Sequence, residues 1–142
     1  MNLFPLNLLI LGDDLVAAFA IRQPLEAAGH RIVGIASSLA HAMRVAQHQT
    51  VHLALVDVHR DRGSDGVEAA HRLSLHHGVA TLFVTCDDQE AMAAADGALG
   101  CLDRPFSPAA LLAAVEAAAE LVGGRQPLRL PAGLRLFPRI AG

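Results

Sequence analysis

Short apolar runs alternate along the chain with longer segments whose apolar residues recur at helical spacing. LNLLIL (Leu6–Leu11), RIVGIA (Arg31–Ala36), HLALVD (His52–Asp57), VATLFVT (Val79–Thr85) and LGCLD (Leu99–Asp103) read as strands. DDLVAAFAIRQPLEAAG, SSLAHAMRVAQH, GVEAAHRLSLHHG, DQEAMAAA and SPAALLAAVEAAAELVGG read as the helices that follow them. Gly29 is placed to end the first helix, Ser37 or Ser38 to cap the second, and Ser107 with Pro108 to open the last. Pro24 lies inside the first helix, where it lacks an N–H and collides with the carbonyl of Ala20, so a kink or break is predicted there.

The strands are apolar on both faces, as in a parallel sheet covered by helices on each side. Five β–α units in strict alternation predict a doubly wound α/β domain. In such sheets a site forms outside the carboxyl ends of the strands.

The length of 142 residues fits one domain, and 53% hydrophobic against 18% charged residues supplies a core. The units occupy residues 1–122, and residues 123–142 form a separate tail, GGRQPLRLPAGLRLFPRIAG. In the tail LRL and LRLF flank PAG, which leaves a hairpin, a docked arm and disorder open. The tail is too short for a DNA-binding output domain. A net charge of −3 likewise gives no footprint for nucleic acid. All 11 cationic side chains are arginine, a bias that weakens any argument from one arginine alone. The tail arginines are read as a solvated or docked arm before a contact for an acidic partner.

The two cysteines, Cys86 and Cys101, are too few for a disulfide framework and are expected as buried, inert thiols in a reducing compartment. The apolar N-terminus has no Lys or Arg before Arg22 and is cut by Asp13 and Asp14, unlike a secretory leader. No apolar run reaches the roughly 18 residues of a membrane span. A cytoplasmic protein is therefore expected. The histidines on or after the third helix, His71, His76 and His77, lack metal-binding spacing and read as solvated helix faces.

The polar residues at the strand ends are the chemical signal. Strand 1 ends on Asp13 and Asp14, strand 3 on Asp57, strand 4 on Thr85, and strand 5 on Asp103 and Arg104. A parallel sheet gathers these at one edge. Crowded carboxylates call for a cation, and oxygen donors with room for water suit Mg²⁺. An arginine and a threonine beside them suit a phosphoryl group. Each residue also has a plainer role: Asp57 as a turn or cap acid, Asp13 and Asp14 as helix caps, Thr85 as a strand former, Arg104 in a structural ion pair.

LLILGDD, LALVDV, DGVEAAHRL, LFVT and DRPFSP, in this order and spacing, resemble the receiver domain of bacterial two-component response regulators. The resemblance covers residues of about 6 to 122. It implies a flavodoxin-like (CheY-like), three-layered, five-stranded parallel sheet in the order 2-1-3-4-5. It implies Asp57 as phosphoacceptor, taking a phosphoryl group from a histidine kinase or phosphotransfer protein and hydrolysing it slowly. Asp13, with or without Asp14, joins Asp57 and the backbone carbonyl of His59 in holding Mg²⁺. Thr85 is the switch hydroxyl, and Arg104 contacts the phosphoryl group where the family has lysine. The Arg104–Pro105 peptide is expected to be cis. A single-domain regulator of this kind signals through protein contacts, with a downstream protein and a homodimer as candidate partners and no DNA or membrane partner.

Gly12 stands where many receivers have the first acid, Arg104 replaces lysine, and Cys101 replaces the usual aromatic switch. The loop after Asp57 is one residue longer than usual, and the interval from Thr85 to Arg104 is shorter. These departures support the alternative, a degenerate receiver acting as a phosphorylation-independent interaction or dimerisation module. A flavodoxin-like cofactor binder is weaker, since no glycine-rich phosphate loop follows strand 1.

Overall fold

A computed structural model describes residues 5–57, 63–84, 97–127 and 129–137. The elements are β1 (Asn7–Gly12), α1 (Leu15–Ala27), β2 (Arg31–Ala36), α2 (Leu39–His48), β3 (Leu53–Asp57), α3 (Gly63–His77), β4 (Ala80–Phe83), β5 (Ala98–Leu102), α4 (Pro108–Val122) and β6 (Leu134–Leu136). The sheet order is β2-β1-β3-β4-β5-β6. The first five strands run parallel and β6 pairs antiparallel to β5.

Alternate side chains leave each strand on opposite faces, and this divides the core in two. Leu8, Ile10, Leu53, Leu55 and Leu82 meet Ile21 and Leu25 of α1 and Leu111 and Val115 of α4. Leu9, Leu11, Ala54, Val56 and Phe83 meet Ala42 of α2 and Ala69, Ala70 and Leu73 of α3. Both faces of the central strands are therefore covered, which is why those strands read as unbroken apolar runs.

Helix ends follow the local chemistry. Ser38 Oγ accepts the N–H of His41, and Ser107 Oγ accepts that of Ala110 with Pro108 in the first turn. Gly29 takes a φ of +99° after α1, a conformation glycine adopts without Cβ strain. Helix α3 begins at Gly63, about one turn earlier than predicted. No helix of the described residues is long and apolar enough to cross a membrane.

Of the kink or break predicted at Pro24, a break does not occur: α1 is continuous from Leu15 to Ala27. Pro24 lies in the last turn, so only the bond to Ala20 is lost. Ile21 and Leu25, both buried, hold the turn from either side. The Pro24 carbonyl still accepts the N–H of Ala28 at 3.2 Å.

Cys101 also departs from expectation. It is buried in β5 but is disulfide-bonded, not a free thiol. The helix predicted over DQEAMAAA lies outside the described residues, as do Thr85, Cys86, and the loop bearing His59 and Asp61.

Candidate functional site

Asp57 is the last residue of β3 and is only 4% exposed. Four apolar strand residues precede it in the middle of the sheet, and the chain register carries it to the carboxyl edge. Its register partner across β1 is Gly12. A Cβ on Gly12 would lie 2.9 Å from the Asp57 carbonyl oxygen, so β1 approaches this closely because residue 12 has no side chain. Glycine here does more than omit an acid: it makes room beside the acid on β3.

Arg104, two residues beyond β5, reaches back over the strand ends. Its Nη2 donates to Asp57 Oδ2, and its Nε donates to the carbonyl of Val84 at 3.1 Å. The guanidinium carbon lies 5.9 Å from the centroid of the Phe106 ring. The flat, multiply bonded head thus ties the ends of β3 and β4 together, which an ammonium could not do in the same plane. The Asp57 side chain is 5% exposed and that of Arg104 41% exposed. The site is a sunken carboxylate under a half-open cation. The Arg104–Pro105 peptide is cis, as expected.

Two of the other acids at the strand ends, Asp14 and Asp103, are engaged elsewhere. Asp14 caps α1, its Oδ1 accepting from Val16 at 3.0 Å and Ala17 at 3.2 Å. Asp103 turns away to Arg135 of β6, which donates to its Oδ2 from Nε at 3.0 Å and from Nη2 at 2.5 Å. Asp13 is exposed and follows Gly12, one residue past the level of Asp57. Among the described residues no three His, Cys, Asp or Glu side chains come together to hold a metal ion. Two oxygen-bearing side chains on neighbouring strand ends remain, a donor set that suits a hard cation keeping several waters.

Sequence reasoning missed the Val84 carbonyl and Phe106 as parts of this edge, and left the docked arm as one of three alternatives for the tail. Phe106 had a signal, two residues after Arg104, whereas the carbonyl had none. Beside the site an apolar groove of about 570 Å³ runs between α1 and α4, bordered by Ile21, Pro24, Phe106 and Leu111. In the first two turns of α1, Leu15, Val16 and Phe19 are exposed by 61%, 80% and 51%.

Residues 8–116 match the sequence profile of the response regulator receiver domain. The chain belongs to that family. This receiver has the flavodoxin-like fold, with its parallel strands in the order 2-1-3-4-5 and β6 as an addition. Its family carries a general role in response regulation. No match was found among curated proteins.

Solved structures agree on the fold. The signal receiver domain of a modulated diguanylate cyclase from Desulfovibrio desulfuricans G20 is 28% identical, with a TM-score of 0.73 over 84% of this chain and 98% of that one. A CheY-like receiver domain protein from Methanospirillum hungatei JF-1 is 21% identical, with a TM-score of 0.70 over 85% and 98%. The isolated receiver domain of RcsB from Salmonella enterica serovar Typhimurium, solved with phosphomimetic BeF3−, is 20% identical, with a TM-score of 0.71 over 92% and 96%.

Proposed function

We propose that this receiver is a phosphorylation-controlled switch in which Asp57 accepts a phosphoryl group from a histidine kinase or phosphotransfer protein. The observation that carries the reading is the placement of Asp57, nearly buried at the end of β3 and bonded to Arg104. In the transfer, the P–N bond of a phosphohistidine breaks as a P–O bond forms to a carboxylate oxygen of Asp57, and the imidazole leaves. Hydrolysis returns the carboxylate when water attacks phosphorus and inorganic phosphate departs.

Arg104 stabilises the negative oxygens of the transferring group, and its bond to Val84 keeps the guanidinium over the site. Mg²⁺, held by Asp13, Asp57 and the backbone carbonyl of His59, would supply charge neutralisation at the same oxygens. Asp14 serves mainly as a helix cap beside it. Thr85 is the candidate switch hydroxyl. His59 and Thr85 lie outside the described residues.

The exposed apolar end of α1 and the groove beside it offer a partner protein an apolar footing next to Asp57. Signalling then passes to a downstream protein through surface contacts.

Gly12 in the place of an acid, Arg104 in the place of lysine and Cys101 in the place of the aromatic switch favour a second reading, an interaction module that never carries phosphate. Incubation with acetyl phosphate or beryllium fluoride, with and without Mg²⁺, separates the two. The switch reading expects Mg²⁺-dependent modification or complexation at Asp57, lost in Asp57→Asn. A chain that binds neither reagent is an interaction module.

A further inference from the structure

We propose that β6 is a strap coupled to Asp57 and released from the edge of β5 when that carboxylate carries a phosphoryl group. The trigger rests on the phosphoacceptor reading above; the linkage rests on residues 103 and 104.

Without β6, strand β5 would be an open sheet edge. The strap covers it in three register pairs, Gly100 with Leu136, Cys101 with Arg135 and Leu102 with Leu134. The N–H of Phe137 donates to the Leu99 carbonyl and that of Asp103 to the Gly133 carbonyl, both at 2.9 Å. Leu134 is buried in the core. The Phe137 ring packs 6.5 Å from that of Phe83. Gly100 is the fitted position: a Cβ there would overlap the backbone carbonyl of Arg135. The strap is also small, with three residues in the strand and a partly exposed ion pair, so it belongs to the easily opened part of the fold.

Two consecutive residues join the strap to the acceptor. Asp103 holds the strap twice, through its N–H to Gly133 just before β6 and its carboxylate to Arg135 within it. Arg104 grips Asp57 and the Val84 carbonyl. A phosphoryl group on Asp57 moves the negative charge outward by the length of the new bond, into the space the guanidinium holds. Arg104 shifts to follow that charge, the shared peptide moves, and Asp103 loses its fit to β6. Coupling is reciprocal, so a loosened strap favours the modified acceptor. Phe137 also packs against the cluster that contains Cys101 and Phe83. The strap thus adds an aromatic ring to the face that carries Ala98 and the disulfide-bonded Cys101 of β5.

The test uses the full chain and follows amide hydrogen exchange at Asp103 and Phe137 by NMR. Beryllium fluoride with Mg²⁺ is expected to speed both by about fivefold or more, with Leu9 and Leu55 unchanged. Arg135→Ala, remote from the acceptor, is expected to tighten beryllium fluoride binding by a similar factor, whereas a strap with only a structural role leaves that affinity unmoved. Asp57→Asn removes the charge that holds Arg104 and is expected to speed exchange at both amides with no ligand added. Bound beryllium fluoride that leaves both amides unchanged overturns the strap, as does an unmoved affinity in Arg135→Ala. Should no beryllium fluoride bind, the phosphoacceptor reading falls, and unchanged exchange in Asp57→Asn then overturns the linkage by itself.

Discussion

The imidazole of His30 accepts the backbone N–H of Leu6 through Nδ1 at 3.1 Å, and does so while only 4% exposed. Only a ring without a proton on Nδ1 can accept that bond. Burial pushes the pKa of His30 below 6.5, with Glu116 of α4 pulling partly the other way.

Stability should therefore fall in mild acid. Just below pH 6.5 the unfolded chain binds more protons at this position than the folded one, so the contribution is whole above 6.5 and is lost as pH drops through the lower folded value. Gln at position 30 keeps an acceptor but does not titrate. Urea unfolding at pH 7.5 and 5.5 should show a smaller loss for His30→Gln than for wild type. Equal losses would mean that His30 does not set the acid limit.

Asp13 and Asp14 are adjacent and should separate cleanly. Removing the Asp14 side chain strips the cap from Val16 and Ala17 and should cost about 1 kcal/mol. Asp14→Ala should still need Mg²⁺ to bind beryllium fluoride. Asp13→Asn should instead weaken that Mg²⁺-dependent binding by roughly an order of magnitude with little change in melting temperature. Fluorine NMR titration together with calorimetry distinguishes the two outcomes, and the reverse pattern would reassign the metal ligand to Asp14.

Arg104→Ala leaves the Asp57 carboxylate without its guanidinium and Val84 without its donor. Breaking a fully buried pair costs about 3–5 kcal/mol, and the half-open position of Arg104 reduces this to about 1–2 kcal/mol. Arg104→Lys restores the charge but not both bonds, so it should recover acceptance of acetyl phosphate more fully than it recovers stability. Denaturant titration and phosphorylation kinetics on the three proteins check this. Equal stability of the lysine variant and wild type would show that the Val84 bond contributes nothing.

Much of this edge was legible in the chain because its causes are local. An apolar run that stops at Asp57 reports a buried strand leaving the sheet, and Ser107–Pro108 reports a helix start. Asp103 was legible only as an acid at a strand end, whereas Asp14 was legible both as such an acid and as a cap of the first helix. Their partners, Arg135 at a separation of 32 residues and the first turn of α1, divide two apparently equivalent carboxylates from the site. Pro24 does not break α1: a local rule about lost bonds takes no account of Ile21 and Leu25, whose burial holds that turn. His30 resembled the other histidines in sequence, and only the tertiary structure buries it with its ring bonded to Leu6.

The sequence alone determined the alternation of strands and helices, the two-faced core and the delivery of Asp57, Asp13 and Arg104 to one edge. Those features follow from side-chain period, capping and the direction of parallel strands. Tertiary structure decided which acid stays with Arg104, that a glycine at 12 lets β1 approach Asp57, and that the tail becomes β6. These depend on contacts between residues far apart in the chain, where a Cβ fits or does not and a charge meets its partner only after the sheet has formed.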